Sequence, residues 1–517
     1  MINKRINSNW FVNLIFILVL AGLSWYFNFD ETFFKPPQSV HTWRQTNSLS
    51  MTQMYYQYNL PFFQPEIQNQ NSDHGMSGKS VGEFPVIYFL MAKIWQIFGK
   101  SEATYRIIQW LILLTGCFFL FRLLIPLTGN AVRAGFISLL VVTSPMFIFY
   151  GPNFLPDAPA LSFTFIAWYL LYRFTQSRKA WLLWVASVFM FLALTLKITT
   201  GVSIAAIGFW MLFETLFIAP EKRIFNFRFI HYIPFIIGLA ATFAWYRYVT
   251  YYTELHGGHF SVFGTWPIWR LNHDQILKVV DGVRQIYFRE YFSPVLQYIT
   301  IAVWVFMLFR IRKIHPFLGF LLIVMQIGFL AVYALWFQLL EAHDYYLISQ
   351  MQSFVIVWIV FFIYLKDKKW WNHWLTGIVL VAAIAILAHD GMFRHTQRYI
   401  GWMNEHYTKH LEALTEIEPY FQQWGIGTED KVISIPDNAM VGSLYYMDRK
   451  GYINFGNDFT KEETFRQRIN DGAKYLIVID TSVLRQPVVR KFATDSIGSY
   501  RNVVAYRLKS SVMIRRY

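Results

Sequence analysis

The chain has 517 residues, of which 55% are hydrophobic, 20% aromatic and only 15% charged, with a formal net charge of +15. So few charges cannot clothe several soluble domains, which excludes an ordinary water-soluble multidomain protein and points to an integral membrane protein. A single cysteine, Cys117, excludes a structural disulfide and any cysteine-based metal cluster.

A helix needs roughly 20 apolar residues to cross a bilayer. Runs near that length recur at 10–28, 105–126, 131–150, 158–174, 180–197, 199–218, 229–250, 293–310, 315–338, 346–365 and 372–388, which predicts about eleven spans. The first follows Lys4 and Arg5 and shows no small-residue cleavage site ahead of a soluble domain, so it reads as an anchor rather than a signal peptide. An odd number of spans puts the termini on opposite sides. With Lys4 and Arg5 inside, the inner loops contain Arg122 and Arg133; Arg173, Arg178 and Lys179; Lys222, Arg223 and Arg228; Arg310, Arg312 and Lys313; and Lys366, Lys368 and Lys369. These are sixteen basic residues against two acids, Glu221 and Asp367, while the remainder holds 30 basic and 29 acidic residues. The positive charge is thus a topology signal, not a nucleic-acid surface.

Three regions fall on the outer side: the loop 28–104, the loop 251–292 and everything after about 390. The last is polar and alternates helical patterns with the short apolar strands "KVISIPD", Lys431 to Asp437, and "AKYLIVID", Ala473 to Asp480. The predicted architecture is an α-helical polytopic membrane domain, 1–390, followed by a small extracytoplasmic α/β domain, 391–517. In the first outer loop, Leu49 to Tyr58 and Val86 to Phe98 suit helices lying at the membrane boundary, the second being too short to cross.

Between them stands Glu83, at the mouth of the apolar run "VGEFPVIYFLMAKIW". A carboxylate at such a boundary is suited to accept a proton, and it equally suits a helix cap or an ion pair with Lys79 or Lys93. His41, Arg44, Lys79 and Arg106 lie on the same loop or at its exit, where together they form a candidate phosphate-binding wall. Further on, "LLEAHDYYLIS" brings Glu341, His343 and Asp344 beside Tyr345 and Tyr346. Acids and a histidine at a membrane boundary are expensive unless satisfied or used. They fit a metal or a substrate, with the tyrosines stacking on a sugar or lining a lipid groove; an aromatic belt with a polar cap fits as well. No second ligand pair stands at metal spacing. Asp157 after Pro156 and Lys197 at the end of the fifth span are each either helix-end residues or site residues.

The segments "HTWRQTNS", "SGKSVGEFP", "PDAPAL", "LTLKITTG" and "HDYY", in that order and all on the outer side, resemble the GT-C superfamily of membrane glycosyltransferases. The resemblance is to the bacterial branch related to protein O-mannosyltransferases and lipid A aminoarabinose transferases. It implies a polyprenyl-phosphate sugar donor, inversion in one displacement, and an envelope lipid, glycan or protein as acceptor. It places the protein in the bacterial inner membrane, with the N-terminus cytoplasmic. Under it, Glu83 is the first candidate for the base, Asp73 the second and Asp30 the third. His41, Arg44, Asn47, Lys79, Arg106, Lys197, His343, Asp344, Tyr345 and Tyr346 would bind donor phosphate and substrate. Relatives with "WRQ" often have an acid two residues beyond the Gln, where this chain has Asn47, an amide that can position a hydroxyl but not deprotonate it. The sequence requires no cofactor and leaves a divalent metal open. Two other readings share the hydropathy: a transporter or lipid flippase, and a catalytically inactive scaffold of the same fold. The gathering of polar residues in outer loops rather than at mid-membrane favours the enzyme.

Overall fold

A computed structural model describes residues 10–73, 77–257 and 264–509; Lys4 and Arg5 of the topology argument lie outside them. The chain divides into two compact units. One comprises Met1–Phe34, Ala103–Trp245 and Gly264–Thr396, the other Lys35–Glu102, Tyr246–Phe263 and Gln397–Tyr517.

The first unit is helical. Every one of the eleven predicted apolar runs contains helix. Among the described residues six helical segments are long and apolar enough to cross a membrane: Glu102–Thr128, Ile198–Phe217, Phe229–Leu255, Pro316–Leu335, Asp344–Leu365 and Trp374–Arg398. A seventh is added if the bent pair His273–Tyr291 and Pro294–Phe309 counts as one. The run 131–150 is broken because Pro145, which has no amide hydrogen to donate, starts a new helix, Pro145–Tyr150, after Ala131–Thr143. Helices Glu102–Thr128 and Asp157–Ser177 approach closely at Gly116, where a Cβ would come within 2.6 Å of Ser162, the small-residue contact common between membrane helices. Enclosure varies sharply along the bundle. The Asp344–Leu365 segment is 78% buried and Phe229–Leu255 only 17%, so the former is interior and the latter presents Ile236, Leu239 and Phe243 outward, as a lipid-facing wall does.

The second unit is built on a five-stranded sheet. Its strands are β1 (Lys431–Ile435), β2 (Gly451–Tyr452), β3 (Ala473–Val478), β4 (Ser496–Tyr500) and β5 (Val503–Arg507), in the order β2-β1-β3-β5-β4. β2, β1 and β3 run parallel, and β5 and β4 add antiparallel. Ile433, Ile435, Leu476 and Val478 pack with Phe459 and Phe465 of the connecting segments to form its core. The edge strand β2 is not left open. The Gly451 amide donates to Gln68 O at 3.0 Å and Asn69 bridges to Gly451, so residues of the first outer loop cover an edge that would otherwise invite pairing.

From Lys35 to Glu102 that loop belongs to this unit. Its first helix, Thr42–Tyr58, is longer than predicted, and its polar residues Gln45, Thr46, Ser50, Thr52 and Gln53 are buried. They have partners: Gln53 and Gln57 both donate to Asp448, and Ser50 Oγ accepts from the Gln68 amide at 2.9 Å. The second helix, Val86–Phe98, is 13 residues, about 20 Å at 1.5 Å per residue. It buries Tyr88, Met91 and Trp95, exposes Leu90, Ile97 and Phe98, and stops at Gly99, whose φ of +86° only glycine adopts freely.

Candidate functional site

In the helical unit Asp157, Tyr345 and Tyr346 gather around Lys197. Helix Trp181–Leu196 ends there because the backbone turns extended at Lys197 (φ −153°, ψ 103°). The side chain reaches Asp157 in the first turn of helix Asp157–Ser177, with Nζ 2.7 Å from Oδ1. Asp157 is 1% exposed and Lys197 14%. Two charges this deep persist only as a pair. Tyr346 and Tyr345 lie against the ammonium, with ring centroids 3.9 and 5.4 Å from Nζ, close enough for cation–π attraction. His343 meets both tyrosine rings edge-on and its Nδ1 is 3.0 Å from Leu339 O. Asp344 is buried and accepts from the Tyr150 hydroxyl at 2.5 Å.

The expected Glu341–His343–Asp344 group does not converge. Glu341 turns to Lys278, 2.7 Å away, while His343 and Asp344 take separate partners. The segment Asp344–Gln350 is a 3-10 turn, which points successive side chains in different directions. Among the described residues no group of three or more His, Cys, Asp or Glu side chains is arranged to hold a metal ion. Arg106 also differs from its expected role in an outer-loop wall. It sits one turn inside helix Glu102–Thr128, fully buried, donating to Asn153 Oδ1 at 2.5 Å and lying 4.3 Å over the Phe154 ring.

In the second unit the partner of Glu83 is Arg44, not Lys79 or Lys93. Arg44 Nη2 donates to Glu83 Oε1 while Nη1 donates to Ser48 one turn along the same helix at 3.1 Å. Arg44 is 8% exposed and Glu83 30%, so the guanidinium holds one side of a carboxylate that solvent still reaches. Lys93 instead donates to Asn59 and Gln96. The backbone of Lys79 lies opposite Glu66 in an isolated antiparallel β-bridge. His41 is the left-handed N-cap residue of helix Thr42–Tyr58, at φ 56°. Asn47 lies three residues beyond Arg44, on the same face, with its Oδ1 buried and unpartnered. Asp73 is engaged by its own loop. It accepts from the Ser77 amide (2.9 and 3.0 Å), Ser77 Oγ (2.6 Å) and the Gly78 amide (3.0 Å), which leaves its carboxylate fully engaged. Asp30 lies in the short helix Phe29–Thr32 of the helical unit.

One acid escaped the sequence reading. Glu66, between Pro65 and Ile67, stands 3.7 Å from Lys450, which itself lies 3.7 Å over the Tyr58 ring. Burial pushes the Glu66 carboxyl up from its ordinary range, against the pull of Lys450 and Lys79. No motif marks it; the only sequence signal was an acid in an outer loop. The Asp157–Lys197 pair was visible as two separate helix-end residues, since their contact is a property of the fold.

Residues 80–246 match the dolichyl-phosphate-mannose-protein mannosyltransferase family. Over nearly its full length the chain is similar in structure to ArnT from Cupriavidus metallidurans in the apo state. The TM-score is 0.59 at 12% identity, covering 96% of this chain and 98% of that one. At this identity the likeness is one of fold. ArnT bound to undecaprenyl phosphate gives a TM-score of 0.56 at 11% identity, covering 98% of this chain and 99% of the other. The archaeal oligosaccharyltransferase AglB from Archaeoglobus fulgidus, in complex with an inhibitory peptide and a dolichol-phosphate, gives 0.53 at 13% identity, covering 93% and 70%. No curated protein matches in sequence. The family match takes in Glu83, Arg106, Asp157 and Lys197, and excludes Arg44, Asn47, Asp73 and the run 343–346.

Proposed function

We propose that this GT-C protein transfers a sugar from a polyprenyl-phosphate donor to a cell-envelope acceptor, a lipid, glycan or protein, on the extracytoplasmic side of the bacterial inner membrane. The observation that carries the reading is the buried Asp157–Lys197 pair under Tyr345 and Tyr346. An ammonium in a water-poor site acts on a developing phosphate charge far more strongly than it would in water. Its aromatic cover gives the first isoprene units or the sugar face a surface to lie on. The matches to ArnT with undecaprenyl phosphate and AglB with dolichol-phosphate support a donor of this kind.

In this reading Glu83 takes the proton of the acceptor hydroxyl, with Arg44 fixing the orientation of its carboxylate. The oxygen attacks the anomeric carbon from the side opposite the phosphate. The bond from that carbon to the phosphate oxygen breaks, its electron pair leaves on the lipid phosphate, and the configuration inverts. Lys197 stabilises the departing phosphate. No step calls for a nucleotide sugar.

The test is transfer in nanodiscs from a panel of polyprenyl-phosphate sugars, read as released polyprenyl phosphate and glycosylated acceptor. Release in wild type, lost in Lys197→Ala, supports the reading. Movement of intact donor across the bilayer without release would establish the flippase instead. Orientation is read separately, from a reporter fused after residue 395, which is active only outside the cytoplasm.

A further inference from the structure

Between four helices of the helical unit, Trp10–Tyr26, Glu102–Thr128, Ala131–Thr143 and Trp374–Arg398, lies a groove of about 350 Å³ lined by apolar residues alone. Along helix Ala131–Thr143 the lining runs from Val132 through Gly135 to Leu139, a depth of about 10 Å at ~1.5 Å per residue. Gly135 makes the groove deeper than packing requires. A Cβ built there would meet nothing nearer than Phe121 Cε2, at 4.0 Å. No neighbour demands this glycine, although it weakens a helix relative to alanine.

Helices Trp10–Tyr26, Ala131–Thr143 and Trp374–Arg398 all begin at one end of the groove, which Val12 and Ala131 line. Trp10, Trp370 and Trp374, all exposed, mark that end as a membrane–water boundary. From there the groove stays within one leaflet, half of a hydrocarbon core of ~30 Å. Its mouth is positively charged. The stem of Lys366 lies against the turn between Thr128 and Ala131, its Cε 3.3 Å from where a Gly129 Cβ would stand. Arg133 is buried and donates to Trp371 O at 2.8 Å and Asn372 Oδ1 at 2.6 Å, both uncharged. Arg122 follows the groove-lining Phe121. Among the described residues Arg122, Arg133 and Lys366 have no carboxylate partner, and the one acid of the nearby loop, Asp367, is exposed and paired with none of them.

We infer that this groove holds one acyl chain of an anionic diacyl phospholipid, whose phosphate meets Lys366 and Arg122 in the field of Arg133. The apolar lining suits any lipid tail, but three cations without a counter-charge select a negative headgroup over a zwitterionic one. A free anion would leave the groove unfilled. The bound chain ties down helix Trp10–Tyr26, which buries only Phe16 and Leu20 against the protein. The inference stands independently of the transferase reading.

The test uses the full chain in detergent, with phosphatidylglycerol and phosphatidylethanolamine of the same acyl composition as probes. Wild type should retain phosphatidylglycerol through a delipidating wash, seen by native mass spectrometry, and should melt at a higher temperature with it than with phosphatidylethanolamine. Gly135→Leu, which fills the groove with a side chain, should bind phosphatidylglycerol about tenfold more weakly while melting without lipid no lower than wild type. The double variant Lys366→Gln with Arg122→Gln should bind the two lipids equally. Equal stabilisation of wild type by both lipids overturns the inference, as does unchanged phosphatidylglycerol binding in Gly135→Leu. So does retention of polyprenyl phosphate in place of phosphatidylglycerol, which would make the groove a seat for the donor's tail. Where Gly135→Leu does not fold, the double variant decides: a preference for phosphatidylglycerol that survives it overturns the headgroup assignment and the inference with it.

Discussion

The Asp157–Lys197 pair of the helical unit and the charged groups around the first outer loop of the other unit are held in opposite ways. In the helical unit Lys197 and Asp157 are almost sealed from solvent and depend on each other under an aromatic cover. In the sheet-containing unit charges are numerous and share partners: Asp448 takes Gln53 and Gln57, Asp73 takes the Ser77 and Gly78 amides, and Arg44 divides its donors between Ser48 and Glu83. At this depth, removing either charge of the Asp157–Lys197 pair leaves the other buried and uncompensated. Around the first outer loop, Asp448, Asp73 and Arg44 are each held by several contacts with neutral donors and acceptors as well as charges. A substitution should therefore act all-or-none in the first setting and by degrees in the second.

The largest expected effect follows from the sealed pair. Asp157→Ala leaves Lys197 buried without its counter-charge and should destabilise by about 3–5 kcal/mol, read as a drop in melting temperature and in yield of folded protein. The double variant Asp157→Asn with Lys197→Met should recover most of that stability and none of the transfer activity. Recovery of both would show that the pair is only a structural tie.

Next comes Glu83→Gln, which keeps the size of the side chain and one hydrogen bond to Arg44. Loss of a base is expected to lower kcat by about a hundredfold or more while expression and membrane insertion stay intact. Transfer near the wild-type rate in purified protein would remove Glu83 from the chemistry and turn attention to Glu66.

Glu66 supplies a graded effect with a defined sign. Its carboxyl is raised above the ordinary value by burial, so the folded state favours the protonated form. The stability this group contributes is fully present below the ordinary carboxylate pKa and is lost as the pH rises through the raised one. Glu66→Gln mimics the protonated state and should raise the melting temperature at pH 7.5 more than at pH 4.5. An equal shift at both, or a fall at pH 7.5, would mean that Lys450 and Lys79 outweigh burial.

Much of the helical unit was legible in the sequence because hydropathy over twenty residues survives almost any packing. All eleven runs hold helix, and strands β1 and β3 begin at the predicted residues. β2 is two residues long and β4 reads "SIGSY", so neither offers an apolar pattern to find. The buried helix Thr42–Tyr58 was harder for a different reason. Residues such as Gln45, Thr46 and Gln53 read as solvent-facing until their partners, including Asp448 from far along the chain, are known. The site was legible as a set of residue types but not as contacts. Arg44, Glu83, Lys197 and the two tyrosines were all named in advance, while the pairing of Arg44 with Glu83 and of Lys197 with Asp157 needed the fold.

The smallest expected effect sharpens the boundary of the helical site. Glu341 lies two residues from His343 in sequence, yet its carboxylate is 2.7 Å from Lys278, a lysine whose side chain is 74% exposed. A pair this open gains little from Coulomb attraction because water screens it and two side chains must be held still. Glu341→Ala should change stability by no more than about 0.5 kcal/mol and leave kcat and KM as they are. His343→Ala, which strips an edge-on ring from both Tyr345 and Tyr346, should by contrast loosen the cover over Lys197 and raise the donor KM. If Glu341→Ala also raised that KM, the acid and histidine would act as one group during catalysis, and the division drawn by the 3-10 turn at Asp344–Gln350 would describe only the unliganded protein.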